Sequence, residues 1–188
     1  MTNFPSYISI FDNALSKDEC KEIISIFEEN KDKQKQGTSG GHKIQPSTKK
    51  STDISCFLYD GSRISEIISS SLKVYVRKYS EQYPEIDFSI KPWSCYNYYN
   101  LQKYNPNEGY YKTHCETADN ESSSRVLVWM FYLNDVKDGG TLFPSYNIGV
   151  NAVQGRLVIW PPYWTHTHRG QISTTDVKYI ATGWHTFD

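Results

Sequence analysis

The tripeptide His114-Cys115-Glu116 places an imidazole and a carboxylate two residues apart. On a β-strand, residues i and i+2 project to the same face, so one short strand can offer a nitrogen and an oxygen ligand to one metal ion. Two further histidines, His166 and His168, follow about fifty residues later in the segment WTHTHRG. Two imidazoles and one carboxylate, with the other coordination positions open, form the ligand set of ferrous sites that activate dioxygen. We therefore predict an Fe(II) site in this chain.

Periodicity does not decide the third ligand, because His166 and His168 lie on the same face of an extended segment. Asp119 is an alternative carboxylate, although its spacing from His114 fits a His-x-acid motif badly. Cys115 falls between two candidate ligands and should point to the opposite face, where we expect a buried structural thiol. A His-x-Glu motif alone occurs by chance in many chains, so the surrounding elements must support the site.

The length of 188 residues predicts a single domain, 1–188, with room for a sizeable core. The net charge of −1 offers no electrostatic surface for nucleic acid or for an anionic membrane. The chain shows no secretory signal and no apolar run long enough to cross a membrane, so we expect a cytoplasmic protein. The 4 Cys are widely spaced and form no CxxC pair, which argues against a disulfide framework or a structural zinc site.

The first half of the chain predicts mainly helical elements. A first strand over 4–11 is followed by two amphipathic helices, over 17–30 and 63–80. Ser16 and Glu19 form a capping box that begins the first of these helices. We interpret 1–87 as helical support for the rest of the domain.

The segment 31–50, between the predicted helices, is polar and rich in Lys, Gln, Gly and Ser. This composition favours a mobile loop. The segment contains His42, which we interpret as a solvated loop residue rather than a metal ligand.

The second half, 88–188, predicts a strand-rich core that carries the site. The run RVLVWMFYL is nearly continuous in β-branched and aromatic residues, as expected of a central strand covered on both faces. Turn signals separate the strands, at 105–109 and at 134–140. Two helices followed by short strands indicate an α+β fold with an antiparallel sandwich or barrel. The predicted strands are 93–104, 125–133, 141–144, 156–160 and 177–187.

An ordered series of motifs surrounds the candidate ligands. It contains Tyr104, then YKTHCE at 111–116, GGTLFP at 139–144, Gly155 before the strand RLVIW, Lys178 ten residues after His168, and Trp184 six residues later. The series spans most of the second half and resembles the prolyl 4-hydroxylase-like branch of the Fe(II)/2-oxoglutarate dioxygenases. The helix that follows the stretch DNALSKDEC is similar to the first helix of that family, so the resemblance extends over nearly the whole chain.

The resemblance implies a double-stranded β-helix, also called a jelly roll or cupin-like core, flanked by N-terminal helices. It implies Fe(II), 2-oxoglutarate and O2 in the reaction, with ascorbate as a candidate reductant. The ten-residue spacing before Lys178 selects His168 as the distal metal ligand, beside His114 and Glu116, and leaves His166 near the site. The implied reaction is oxidative decarboxylation of 2-oxoglutarate coupled to hydroxylation of a substrate C–H bond.

Four further residues acquire co-substrate roles from this resemblance. Lys178 is the expected cation for the distal carboxylate of 2-oxoglutarate, with Thr141 and Tyr104 as hydroxyl donors to that carboxylate. Trp184 is equally suited to pack over the co-substrate or to fill the core.

The chain departs from the family pattern at two positions. Glu116 stands where the family usually has Asp, and its extra methylene requires either that the backbone sits further from the metal or that the iron shifts. Tyr104 precedes His114 by ten residues, one more than the family pattern.

Several other residues have two competing roles. Six aromatic residues are candidates for lining the cleft, although core packing is the commoner role of aromatic residues in a sandwich: Tyr96, Tyr98, Tyr111, Trp129, Trp160 and Trp164. Arg156 and Arg169 are equally suited to bind substrate or to lie on the surface.

Three functions remain open from the sequence. The resemblance favours a hydroxylase of protein side chains, prolyl first, with a peptide or protein partner. The same chemistry on a small molecule or nucleotide is the second, because one scaffold hosts many substrates. The third is a non-catalytic jelly-roll binding module in which Glu116 has weakened iron binding.

Overall fold

Two antiparallel sheets form the framework of the computed structural model, which describes residues 6–39, 43–89 and 91–187. The larger sheet contains seven strands, in the spatial order β1 (Ser9–Phe11), β8 (Leu157–Trp160), β5 (Arg125–Tyr132), β10 (Lys178–Phe187), β4 (Trp93–Tyr104), β3 (Thr52–Phe57) and β2 (Lys35–Gln36). The smaller sheet contains β7 (Ile148–Ala152), β6 (Val136–Phe143) and β9 (Arg169–Gly170). This arrangement confirms the α+β fold with a jelly-roll core.

Helices α1 (Lys17–Glu29) and α2 (Arg63–Gln82) supply the helical layer. The predicted capping box begins α1: the Ser16 amide donates to Glu19 Oε2 at 2.8 Å, and the Glu19 amide donates to Ser16 Oγ at 3.2 Å. Two backbone donors at the helix start are satisfied in this way. No helix in the described part of the chain is both long and apolar enough to span a bilayer.

The two faces of the larger sheet belong to two separate cores. On β5, Trp129 and Phe131 face the cluster that contains the apolar residues of both helices. Val128, Met130 and Tyr132 alternate with them and face the smaller sheet. This alternation follows the two-residue period of a strand and confirms β5 as a strand covered on both faces. The space between the two sheets holds the candidate site.

The segment 31–50 is more ordered than the predicted loop. Strand β2 lies within this segment and pairs with β3, which lies just after it. The Gly37 amide also donates to the Ser51 carbonyl at 2.9 Å. This pairing joins residues far apart in sequence, so the local polar composition gave no sign of it. His42, and residues 4 and 5 of the predicted first strand, lie outside the described residues.

The predicted turn at 134–140 was wrong in its extent, because strand β6 already begins at Val136. The register of β6 against β7 shifts between Val136 and Thr141, and Asp138 adopts a positive φ of 56°. The turn-like composition therefore marks an irregular stretch within a strand. Strands β3, β7 and β9 were not predicted as such.

Candidate metal centre and co-substrate pocket

The two segments singled out in the sequence meet at an antiparallel bridge. The His114 amide donates to the His168 carbonyl at 2.9 Å, and the His168 amide donates to the His114 carbonyl at 2.8 Å. Glu116 is anchored beside them, because its amide donates to the Pro162 carbonyl at 2.9 Å. As a result, one ligand atom from each of His114, Glu116 and His168 lies within 4.8 Å of the others.

Backbone carbonyls orient both imidazoles toward a common point. Nδ1 of His114 lies 3.0 Å from the Lys112 carbonyl, and Nδ1 of His168 lies 3.0 Å from the His166 carbonyl. A carbonyl only accepts, so each Nδ1 carries the proton and each Nε2 presents a lone pair. These Nε2 atoms lie 3.4 Å and 3.5 Å from Oε1 of Glu116. Three ligand atoms directed at one point fit a cation such as Fe(II).

His166 is also buried but points away from this cluster. Its Nε2 lies 2.9 Å from the Ser6 carbonyl and 3.2 Å from the Tyr146 hydroxyl, and its Nδ1 lies 2.9 Å from Thr165 Oγ1. The geometry therefore brings His168, and not His166, to Glu116. The alternative carboxylate, Asp119, is engaged in its own loop, where it accepts a hydrogen bond from Ser122.

The outer oxygen of Glu116 is held by two side chains. Trp184 Nε1 donates to Oε2 at 3.1 Å, and Arg125 Nη1 lies 3.4 Å from the same oxygen. Arg125 also donates to the backbone carbonyl of Glu116, and its guanidinium lies 4.0 Å from the centre of the Trp184 indole. Burial raises the pKa of Glu116, but His114 and His168 outweigh it when they carry a proton on Nε2, and they then hold this pKa well below its usual range.

Trp184 thus makes a contact that the sequence did not predict, since the two roles left open were co-substrate packing and core filling. Arg125 was not predicted as a site residue at all. Tyr110 was also missed, although its ring stacks on His114 with 3.7 Å between the centroids.

Lys178 is a buried cation in the same inter-sheet space. Its ammonium donates to the carbonyls of Gly139 at 3.0 Å and Gln171 at 3.4 Å, and lies 5.0 Å from the centre of the Tyr104 ring. Among the described residues, no carboxylate lies within ion-pair distance of it. Burial lowers the pKa of Lys178 to about 8. A buried charge without a counter-ion is costly, so this pocket fits an anionic ligand.

Lys178 lies close to the candidate metal site. A Cβ built on Gly170 would lie 3.6 Å from the Lys178 nitrogen, and Gly170 is two residues beyond His168. Lys178 therefore contacts the strand that begins directly after His168.

The hydroxyls of Thr141 and Tyr104 both contact other side chains. Thr141 Oγ1 lies 2.6 Å from the Tyr132 hydroxyl in a buried contact. The Tyr104 hydroxyl instead donates to Gln102 Oε1 at 2.7 Å, so Tyr104 faces Lys178 with its ring. Tyr132 was missed because it stands in the apolar run of β5, where nothing marked it as polar.

The remaining candidates divide between core and surface. Trp129 and Trp160 are buried, and Trp160 packs edge-on against His168 with 5.0 Å between the rings. Arg156 pairs with Asp12 at 2.6 Å, and Arg169 is exposed on β9. Cys115 is only half-buried, because its thiol donates to the Thr117 carbonyl at 3.2 Å rather than entering a core. Four aromatic residues are exposed: Tyr96, Tyr98, Tyr111 and Trp164.

The family model of the 2OG-Fe(II) oxygenase superfamily matches residues 99–186, the part of the chain that carries every ligand described above. A sequence comparison with curated proteins finds no significant match.

Solved structures of similar fold include hydroxylases and a cyclase. The viral collagen prolyl hydroxylase of Paramecium Bursaria Chlorella virus-1, in its 2OG complex, has a TM-score of 0.70 at 18% identity and covers 97% of each chain. The prolyl hydroxylase of Trichoplax adhaerens, in complex with a hypoxia inducible factor peptide, has a TM-score of 0.78 at 13% identity, over 97% of this chain and 84% of the other.

The third structure is the carbocyclase SnoK from nogalamycin biosynthesis, a non-heme α-ketoglutarate-dependent enzyme. It has a TM-score of 0.67 at 11% identity, over 97% of this chain and 80% of the other. The family match on 99–186 and the candidate site thus fall on the same stretch of the chain, and the solved structures show a fold of the prolyl 4-hydroxylase type.

Proposed function

We propose that this protein is a 2-oxoglutarate-dependent dioxygenase and that His114, Glu116 and His168 are its Fe(II) ligands. Ferrous iron held there supplies the activation of O2 that the reaction needs. The observation that supports this assignment is the convergence of both Nε2 atoms on Oε1 of Glu116, at 3.4 Å and 3.5 Å. The chain's own contribution is to fix both imidazole tautomers and to hold the outer oxygen of the carboxylate through Trp184.

In this proposal Lys178 binds the distal carboxylate of 2-oxoglutarate. The argument rests on its burial and on the two carbonyls that are its nearest polar neighbours, since a carboxylate would supply the missing opposite charge. The Tyr132–Thr141 hydroxyl pair, buried in the same inter-sheet space, is the second candidate for contact with that carboxylate. Ascorbate enters only as a reductant that keeps the iron ferrous.

We further propose that the substrate is a protein side chain, with proline as the first candidate. Supporting this, Tyr96 and Tyr98 precede Tyr104 at even spacing along β4 and so share the sheet face of the site. Both are exposed, and the ring of Phe57 on β3 lies 4.3 Å from that of Tyr98. Extended proline-containing segments dock on aromatic surfaces of this kind.

Hydroxylation or another oxidation of a small molecule is the second candidate. The fold similarity to the carbocyclase SnoK favours it, because a related scaffold there carries a different 2-oxoglutarate-dependent reaction.

The two candidates are separated by a substrate screen. The protein is incubated with Fe(II), 2-oxoglutarate, ascorbate and a set of proline-containing peptides, with His168→Ala as the inactive control. We expect mass spectrometry to find one added oxygen on a prolyl residue, together with faster succinate release. Acceleration by small molecules alone, with every peptide unmodified, would contradict the protein-side-chain assignment.

A further inference from the structure

A buried ion pair connects the N-terminal strands to the candidate co-substrate pocket. Lys49 is only 4% exposed, and its ammonium lies 2.6 Å from Oδ2 of Asp53. The other carboxylate oxygen, Oδ1, accepts a hydrogen bond from Ser51 Oγ at 2.7 Å. Burying such a pair adds little net stability, because desolvation offsets the attraction between the charges. The Lys49–Asp53 pair therefore points to a role other than stability.

The ion pair continues into a chain of hydrogen bonds on β4. Gln102 Nε2 donates to Oδ2 of Asp53 at 3.4 Å, and Gln102 Oε1 accepts from the Tyr104 hydroxyl at 2.7 Å. A carboxylate can only accept, so Asp53 fixes which end of the Gln102 amide faces it. The amide oxygen is then left for Tyr104, whose hydroxyl proton is committed to that bond.

This series of hydrogen bonds leads to Lys178. Tyr104 and Lys178 are paired residues of neighbouring strands, and the Lys178 ammonium lies 5.0 Å from the centre of the Tyr104 ring. A ring face attracts a cation, more strongly when the contact is desolvated. Tyr104 is itself buried, so the direction of its ring depends on where its hydroxyl is held.

The backbone of Gly37, next to β2, packs directly against the Ser51 and Asp53 side chains. A Cβ there would collide with Ser51 Oγ and would approach Asp53 Oδ2 to 2.9 Å. The close approach of this backbone limits access of water to the ion pair, whose Lys49 and Asp53 side chains are 5% and 12% exposed, and limited access strengthens each hydrogen bond.

We propose that Asp53, clamped by Lys49, is a positioning residue for the co-substrate cation, acting through Gln102 and Tyr104 on Lys178. This inference rests on the proposed role of Lys178 as the partner of the 2-oxoglutarate carboxylate. It assigns to Tyr104 a contact through its ring, whereas direct co-substrate binding would use its hydroxyl.

The test is a double-mutant cycle on Asp53→Asn and Tyr104→Phe. Binding of 2-oxoglutarate to the Mn(II)-loaded protein is measured by calorimetry, which needs no turnover. We expect each single variant to raise Kd about tenfold and the double variant to raise it no further, because both changes break one chain of bonds. The KM for 2-oxoglutarate in Fe(II)-dependent turnover should rise in parallel, with kcat nearly unchanged.

Two variants guard against a purely structural effect. Glu28→Gln breaks a similar pair, Lys103–Glu28 at 2.7 Å, on the opposite face of the same strand, and should leave Kd unchanged. Gln102→Met removes the amide that links Asp53 to Tyr104, and it should raise Kd as much as Asp53→Asn does. It keeps the test usable if Asp53→Asn fails to fold.

Two outcomes would overturn the inference. Unchanged Kd in folded Asp53→Asn or Gln102→Met would show that the ion pair does not act on the pocket. Independent effects that multiply to about a hundredfold in the double variant would show that Tyr104 acts on the co-substrate directly. If Lys178→Ala itself leaves Kd unchanged, the proposed function fails instead, so the two failures are distinguishable.

Discussion

The indole nitrogen of Trp184 lies 3.1 Å from Oε2 of Glu116, while Oε1 of the same carboxylate faces both imidazoles. One oxygen is thus directed to the proposed metal position and the other is fixed by the protein. This division fits a glutamate at the position where the pattern that the sequence resembles has the shorter aspartate. The longer side chain would otherwise have an additional freely rotating bond, and the Trp184 contact restricts it.

Trp184→Phe should weaken metal binding while preserving the fold. The variant loses the donor to Glu116 but keeps an aromatic face for the Arg125 guanidinium, which lies 4.0 Å from the indole centre. Loss of such a supporting bond typically costs between about 10-fold and 100-fold in metal affinity. Titration with Fe(II) under anaerobic conditions measures this, with Trp164→Phe on the exposed surface as the matched control. Equal affinities in the two variants would show that the Trp184 contact does not restrain the ligand.

The two histidines of the WTHTHRG segment should behave differently on substitution. His168→Ala should abolish Fe(II) binding, because it removes one of three converging ligand atoms. His166→Ala should retain much of it, since that ring bonds instead with Tyr146 and the Ser6 carbonyl. The same anaerobic titration distinguishes them. The reverse pattern would mean that the ten-residue spacing before Lys178 had selected the wrong ligand.

Binding of 2-oxoglutarate should weaken as pH rises above about 8. Burial lowers the pKa of Lys178 to about 8, and only the protonated amine attracts a carboxylate. Below this pKa the ammonium is already charged, so affinity is flat. Above it, each pH unit costs about tenfold in affinity, because the protein must first take up a proton. Calorimetry at pH 7 and pH 9 on the anaerobic Mn(II) protein measures the change.

Lys178→Arg serves as the control for this pH dependence, because a guanidinium stays protonated throughout the range. Its affinity should be the same at both pH values, whatever its absolute value. Lys178→Ala should bind 2-oxoglutarate poorly at both, with Fe(II) affinity nearly intact. A slope that persists in Lys178→Arg would assign the titration to another group.

Acid should destabilise the fold through His185, outside the candidate site. Burial lowers the pKa of His185 from 6.5 to about 4, so the folded imidazole stays neutral where the unfolded one binds a proton. Stability from this group is therefore present above pH 6.5 and is lost as pH falls toward 4. The loss amounts to about 2 kcal/mol by pH 5. Urea unfolding at pH 7 and pH 5 should show a smaller difference for His185→Phe than for the unaltered protein, and equal differences would argue against this origin.

Local signals in the sequence were sufficient for much of the framework. Ser16 and Glu19 act on each other three residues apart, so the start of α1 could be predicted from their types alone. The long apolar run of β5 likewise predicted a strand covered on both faces. His168 required more than local pattern, and only the spacing to Lys178 distinguished it from His166.

The contacts that were missed join residues far apart in the chain. Trp184 reaches Glu116 across 68 residues, and this contact depends on the register of β10 in the sheet. The Asp53–Gln102 bond requires the pairing of β3 with β4, which no neighbouring residue indicates. The whole fold determines which residues of two distant strands lie opposite each other. The types of single side chains therefore do not predict these contacts.

The most direct test of the central claim is succinate release from 2-oxoglutarate with Fe(II) and ascorbate, without a prime substrate. The unaltered protein is compared with Glu116→Ala, and Glu121→Ala on the exposed loop is the matched control. We expect slow Fe(II)-dependent turnover in the unaltered protein and in Glu121→Ala, and none in Glu116→Ala. Absence of turnover in all three, together with no iron-dependent binding of 2-oxoglutarate under anaerobic conditions, would contradict the His114–Glu116–His168 site.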